Sequence, residues 1–225
     1  MLNSNSNELP PDQTTPDQAA EPEDLPAGME GGTQPQQFSV SDHWLDEAER
    51  HPSPFCDQRP PGVAVNLLVI HSISLPKGDY GGDYVRRLFL GELRADGPCG
   101  ELAGVQVSSH LFIRRNGEVL QFVPFHLRAW HAGDSSYQGV AACNDYSIGI
   151  ELEGTDADEF TPAQYAALTG ATLALLASYP TLKPERIVGH SDVAQPRGRK
   201  HDPGSGMDWA GYLATLSASP IRNQA

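Results

Sequence analysis

The run Val65-Asn66-Leu67-Leu68-Val69-Ile70-His71-Ser72-Ile73-Ser74 constrains this chain more than any other stretch. A run of apolar and β-branched residues suits a buried central strand, and such a strand lies inside a sheet with helices packed over it. A histidine at the end of that run is either a hydrogen-bonded structural residue or a ligand. A second strand-like run, Ser147-Ile148-Gly149-Ile150-Glu151-Leu152-Glu153, carries two acids on one face and isoleucines on the other. A carboxylate in an apolar strand is costly to bury without a partner or a purpose.

The elements around these runs are read from their punctuation. Ser41 to Arg50 is expected to be a short helix, with Trp44, Leu45 and Ala48 on one face. Val85 to Leu93 suits another. Residues 107–124 read as a β-hairpin turning at Asn116-Gly117, a strong turn pair between strand-like runs. The clearest helix starts at Thr161-Pro162, where Gln164 completes a capping box, and stops before Pro180. A short strand, RIVGH, ends on His190, and a last helix follows near Trp209. The order mixes helix and strand without regular βαβ alternation. It predicts an α/β (mixed α+β) fold, a central mixed β-sheet with flanking helices.

Charge divides the chain in two. Of its 29 acids, seven fall in residues 1–37, which hold no base, six prolines, no aromatic residue and no Val or Ile. Such a segment buries too little apolar surface to offset its ordering entropy, so residues 1–37 read as a disordered acidic tail and residues 38–225 as the folded domain. A formal charge of −14 argues against a protein that coats nucleic acid or anionic lipid. No apolar run approaches the roughly 20 residues that span a bilayer, and the first residues lack the basic and apolar regions of a secretory signal. Cys56, Cys99 and Cys143 are few, odd in number and far apart, which fits a reducing cytoplasm.

The residues that could do chemistry cluster late in each motif. His71 and His190 both stand at strand ends, and Lys200-His201-Asp202 follows in a loop. Two imidazoles and a loop carboxylate supply three ligands and leave a fourth tetrahedral position for water. On spacing alone His201 competes with Asp202, and His110 or His131 could also ligate. Glu151 suits a general base, whereas Glu153 reads as a solvated acid at a sheet edge. His110 inside its strand reads as a hydrogen-bonded core residue.

Together the motifs VIHSISLPKGDYGG, VSSHLFIRRNGEVLQFVPFHLRAWHAG, CNDYSIGIELEGTD, FTPAQY and GHSDVAQPRGRKHDPG resemble the zinc-dependent N-acetylmuramoyl-L-alanine amidases, above all the cytoplasmic 1,6-anhydro type. The likeness spans roughly residues 40 to 215, in one order. It implies an amidase/peptidoglycan-recognition-like fold with one zinc ion per chain, held by His71, His190 and Asp202. It further implies Glu151 as proton acceptor and Lys200 as stabiliser of the transition state. The implied reaction cleaves the amide between the lactyl group of (1,6-anhydro-)N-acetylmuramic acid and L-alanine, in peptidoglycan recycling. The implied partner is a small soluble muropeptide, with no nucleic acid and no membrane, and a monomer is the default.

Ser72, Trp130, His131 and Asn144 are expected to contact substrate. Ser72 stands where relatives often carry Asn, and Gln106 and Ala142 stand where relatives tend to carry arginines that meet stem-peptide carboxylates. The competing readings are a peptidoglycan-binding module without catalysis and a lytic amidase of the intact wall. The first would have lost a ligand, and the second calls for a signal, a wall-binding repeat or a basic surface.

Overall fold

A computed structural model describes residues 34–219. The expected tail therefore lies almost wholly outside the described residues, although Gln36 already donates its backbone N–H to Ala166 O at 3.0 Å.

The chain begins with a small hairpin, β1 (Val40–Ser41) and β2 (Trp44–Leu45), followed by β3 (Glu49–Arg50). The helix expected over residues 41–50 is thus absent. Asp42 and His43 sit at φ 49° and 66° and form a two-residue turn that matches strand twist. Buried Gln121 completes the correction: its Oε1 accepts the Leu45 N–H at 2.6 Å, and its Nε2 donates to His43 O at 3.2 Å. Of the three residues read as one helix face, Leu45 and Ala48 are buried and Trp44 is half-buried.

Strand β4 (Cys56–Gln58) later pairs with β8 (Leu127–Ala129). Strand β5 (Leu67–Ile73) is the opening apolar run, and helix α1 (Tyr84–Leu90) ends at Gly91 in the left-handed conformation. Strands β6 (Leu111–Ile113) and β7 (Val119–Gln121) form the expected hairpin. Its turn is one residue longer than an Asn-Gly pair: Arg114 N–H meets Glu118 O, and only Gly117 takes positive φ, at 86°. That is a three-residue loop with glycine at its left-handed position. A second small hairpin, β9 (Ser136–Tyr137) and β10 (Val140–Ala141), precedes β11 (Ser147–Glu153).

Helix α2 (Pro162–Ser178) starts as read. Thr161 Oγ1 accepts the Gln164 N–H and Gln164 Oε1 accepts the Thr161 N–H, both at 3.1 Å. Strand β12 (Ile187–Gly189) leads directly into the one-turn α3 (His190–Val193), and α4 (Trp209–Ala218) closes the fold, capped by Asp208. His190 is therefore the first residue of a helix rather than the last of a strand.

The main sheet has six strands in the order β12-β5-β11-β6-β7-β3. Strands β12, β5, β11 and β6 are mutually parallel, β7 is antiparallel to β6, and β3 runs parallel to β7. On one face Leu68, Ile70, Ile148 and Ile150 pack under α2 and α4. On the other, Phe112, Leu120 and Phe122 pack with α1. Among the described residues no helix is long and apolar enough to cross a membrane.

Because β11 lies between β5 and β6, Glu153 is not at a sheet edge. It is buried, at 3% exposure, and accepts N–H groups of Gly81 at 2.6 Å and Arg115 at 2.9 Å. The reading of a solvated acid is corrected: its carboxylate ties two loops to the sheet, which offsets its burial. Thr161→Ala is expected to lower stability by about 1 kcal/mol, the usual worth of a helix N-cap, as read from urea unfolding.

Candidate active site

Register builds the site. In the parallel pair β5–β11, Glu151 stands opposite His71 and Gly149 opposite Val69, all on the face away from α2. Strand β12 pairs Gly189 with Ile70, which delivers His190 beside His71, with ring centroids 4.4 Å apart. Ligand-binding residues at the carboxyl ends of parallel strands are the general arrangement of such sheets. The loop after α3 then returns Asp202 between the two rings, because Ser191 N–H is bonded to Asp202 O at 3.0 Å.

One carboxylate oxygen receives both histidines. Asp202 Oδ2 lies 3.2 Å from His71 Nδ1 and 3.0 Å from His190 Nδ1. Ligand atoms of His71, His190 and Asp202 all fall within 4.8 Å of one another. His201, the alternative on spacing, is exposed. His190 Nε2 faces the carbonyl of Ala132 at 3.1 Å, so that nitrogen carries a proton and Nδ1 is the atom turned towards Asp202. His71 Nε2 lies 2.9 Å from His131 Nδ1, and His131 Nε2 lies 3.1 Å from Ser147 Oγ.

Burial pushes His71 down to about 4, so the ring is neutral at neutral pH. Burial opposes ionisation of Asp202, but the two imidazoles beside it hold its carboxyl well below the usual range. Two ring nitrogens this close to an ionised carboxylate oxygen need a proton or a metal cation between them. The donor set therefore fits a metal ion.

Glu151 is buried, with Oε1 3.9 Å from His71 Nδ1 and no hydrogen-bond partner for Oε2. Burial, and then the charge of Asp202, push its pKa well above the carboxylate range, while Lys200 pulls the other way. Lys200 is exposed and makes no ion pair among the described residues. It borders an open cleft of about 390 Å³ together with Ser72, Lys77, Thr155, His201 and Asp202. Ser72 Oγ is buried without a partner.

The remaining expected contacts lie elsewhere. Trp130 stacks on Phe55, centroids 6.3 Å apart, away from the residues that line the cleft. His131 stands behind His71. Asn144 Oδ1 accepts backbone N–H groups of Ala132 at 2.8 Å and His131 at 3.3 Å. His110 is the hydrogen-bonded core residue expected: Nδ1 accepts the Gly149 N–H at 3.0 Å, and Nε2 reaches Leu127 O at 3.1 Å.

Three supporting residues went unread in the sequence. Arg59 donates to the carbonyls of Asn144, Asp145 and Ser147 at 2.8 to 3.0 Å, and burial pushes its pKa down to about 10. Arg199 donates to Ala132 O at 3.2 Å and Asp134 O at 2.7 Å. Gly149 had a signal, since glycine inside a strand marks close approach. A Cβ there would lie 2.6 Å from His131 Cγ.

A buried His-His-Asp cluster beside an unpartnered carboxylate and an exposed ammonium, at the carboxyl ends of parallel strands, has the parts of a metal-assisted hydrolase. The comparisons agree. The family described as N-acetylmuramoyl-L-alanine amidase matches residues 61–205, and the chain belongs to that family. The 1,6-anhydro-N-acetylmuramyl-L-alanine amidase AmpD of Salmonella typhimurium (strain SL1344) is 48% identical over 178 residues, 78% of this chain and 94% of that protein. A crystal structure of selenomethionine AmpD matches at a TM-score of 0.75 and 47% identity, covering 79% of this chain and 98% of that one. AmpDh3 of Pseudomonas aeruginosa in complex with anhydromuramic pentapeptide matches at 0.53 and 27% identity, covering 69% and 61%.

Gly149→Ala is expected to destabilise the metal-free protein by about 1–3 kcal/mol, the range for overpacking. Urea unfolding checks this; wild-type stability would mean that the His131 ring has room to move.

Proposed function

We propose that this protein is a zinc amidase that hydrolyses the lactyl–L-alanine amide of small 1,6-anhydromuropeptides in the cytoplasm, acting as a monomer in peptidoglycan recycling. One observation carries the reading: His71, His190 and Asp202 converge within 4.8 Å, beside Glu151 and at the mouth of a cleft bordered by Lys200. The names of the relatives support the substrate, and three free cysteines fit a reducing compartment.

His71, His190 and Asp202 would hold the zinc ion, an N,N,O set of the catalytic kind. When bound, zinc supplies Lewis-acid polarisation of a water and of the amide carbonyl. Glu151 takes the proton released as the water oxygen bonds to the carbonyl carbon. Its unpartnered Oε2 is available for that proton, and its buried position suits a carboxyl group that must both accept and return one. Lys200 offsets the negative charge that develops on the carbonyl oxygen, a contribution often worth about 3 kcal/mol. Glu151 then returns the proton to the departing nitrogen of L-alanine as the C–N bond breaks.

The purified protein, incubated with anhydromuropeptide, is expected to release stem peptide, to stop when a chelator is added, and to act poorly on intact sacculus. Release mainly from sacculus would reject the recycling role, and no release from either would reject the enzyme. Glu151→Ala is expected to keep its zinc while turnover falls at least ~100-fold, the low end for a lost general base. Loss of zinc there would make Glu151 a ligand instead. Asp202→Ala should lower zinc content, measured by elemental analysis, and full occupancy would sink its assignment.

A further inference from the structure

We infer that the dipeptide His131–Ala132 is a single seat for both histidines of the metal-binding cluster, and that Asn144 is the positioning residue that locks it. The inference rests on the metal-binding reading of His71, His190 and Asp202. It departs from the expectation that His131 and Asn144 touch substrate.

Every contact of the seat is made inside the protein. The ring of residue 131 meets His71: Nδ1 lies 2.9 Å from His71 Nε2. The carbonyl of residue 132 meets His190, whose Nε2 lies 3.1 Å away. The two N–H groups of the same dipeptide both point to Asn144 Oδ1, at 3.3 Å and 2.8 Å. One side-chain oxygen thus fixes the backbone that orients two imidazoles. In the direction that leaves His71 Nδ1 unprotonated, His71 Nε2–H donates to His131 Nδ1, and His131 Nε2–H donates to Ser147 Oγ at 3.1 Å.

The surroundings leave the seat no slack. The His131 ring lies flat against Gly149, where a Cβ would come within 2.6 Å. Arg59 holds the carbonyl of Asn144 itself at 3.0 Å, and Arg199 shares the carbonyl of Ala132 at 3.2 Å. Partners behind metal-binding histidines fix which nitrogen faces the metal, and their loss commonly weakens metal binding 10- to 100-fold. Here both partners hang from one clamp, so a single truncation should disturb two ligands.

The test compares zinc affinity, measured by competition with a chromophoric chelator, in wild type, Asn144→Ala, Asn144→Asp and Ser147→Ala. Asn144→Ala is expected to bind zinc about 10- to 100-fold more weakly. Asn144→Asp keeps the acceptor oxygen and should bind as wild type does. Ser147→Ala, which removes only the far partner of His131, should weaken binding less, and it carries the test if Asn144→Ala fails to fold. Zinc-saturated Asn144→Ala should keep the wild-type KM.

Wild-type zinc affinity in Asn144→Ala, or an unchanged affinity with a raised KM, would overturn the proposal; the latter would make Asn144 a substrate contact. If wild type itself binds no zinc, the metal-binding reading fails by itself. The seat is then judged by the ¹⁵N shifts of His190 in metal-free protein, above the ordinary histidine pKa of about 6.5. A ring protonated at Nε2 in wild type and mixed in Asn144→Ala supports it, and the same tautomer in both rejects it.

Discussion

The molecule is organised around a convergence: two imidazole nitrogens aimed at the same ionised carboxylate oxygen, at 3.2 Å and 3.0 Å, with both rings buried. Such contacts are favourable only with a proton or a cation between the atoms. A metal cation in place of the protons turns the contacts into coordination. The protein must therefore hold the acceptors together before anything binds, and most of the architecture on this face of the sheet can be understood as doing so. Parallel pairing of β5 with β11 and β12 brings the ends of three chain segments to one place. On the far side of the rings the Ala132 carbonyl meets His190 Nε2 and the His131 ring meets His71 Nε2. The α2 and α4 side of the sheet carries the apolar packing that makes the strands immovable.

Glu151 and Glu153 show how one strand separates two uses of the same side chain. Both point to the same face of β11 and both are buried. Glu153 spends its oxygens on backbone N–H groups of Gly81 and Arg115, which is a structural bond. Glu151 has an oxygen with no partner at all. A buried carboxylate without a partner costs free energy that folding would not tolerate for structure alone. Such a cost is expected where a group must be free to exchange a proton, and Glu151 keeps that freedom beside His71.

That difference was only half legible in the sequence. Alternation in SIGIELEG put the two acids on one face, and the apolar neighbours marked Glu151 as unusual. Nothing local told that β11 would be flanked on both sides, so Glu153 read as an edge residue; strand order is a property of distant pairings. The same limit explains the first hairpin. Trp44, Leu45 and Ala48 fit helical spacing, but the competing partner was Gln121, far along the chain, whose amide claims the backbone groups a helix would have used. Punctuated elements fared better. The Thr161–Gln164 box is written in adjacent residues, and it formed as read. The histidine and aspartate cluster was legible as a set of candidates, with His201 left open against Asp202 until the motif resemblance favoured one. The residues behind it were not, because Arg59, Asn144 and Arg199 act through backbone carbonyls and N–H groups that carry no sequence signature.

Charge placement follows the same logic at a larger scale. The chain is acidic as a whole, yet Lys77, Arg199 and Lys200 gather at the cleft. An acidic surface disfavours approach to an extended polyanion, because many like charges act at once. A small anionic peptide samples mainly the local field within about 8–10 Å, where Arg199 and Lys200 stand beside Asp202 and the Lys77–Asp156 pair. The cleft therefore sets Arg199 and Lys200 at short range within a chain whose net charge repels a polyanion at long range. The two ranges respond differently to salt: screening removes the long-range repulsion first and leaves the contact at the cleft largely intact. The repulsion grows with the number of like charges an approaching molecule carries, so its size weighs beside its chemistry.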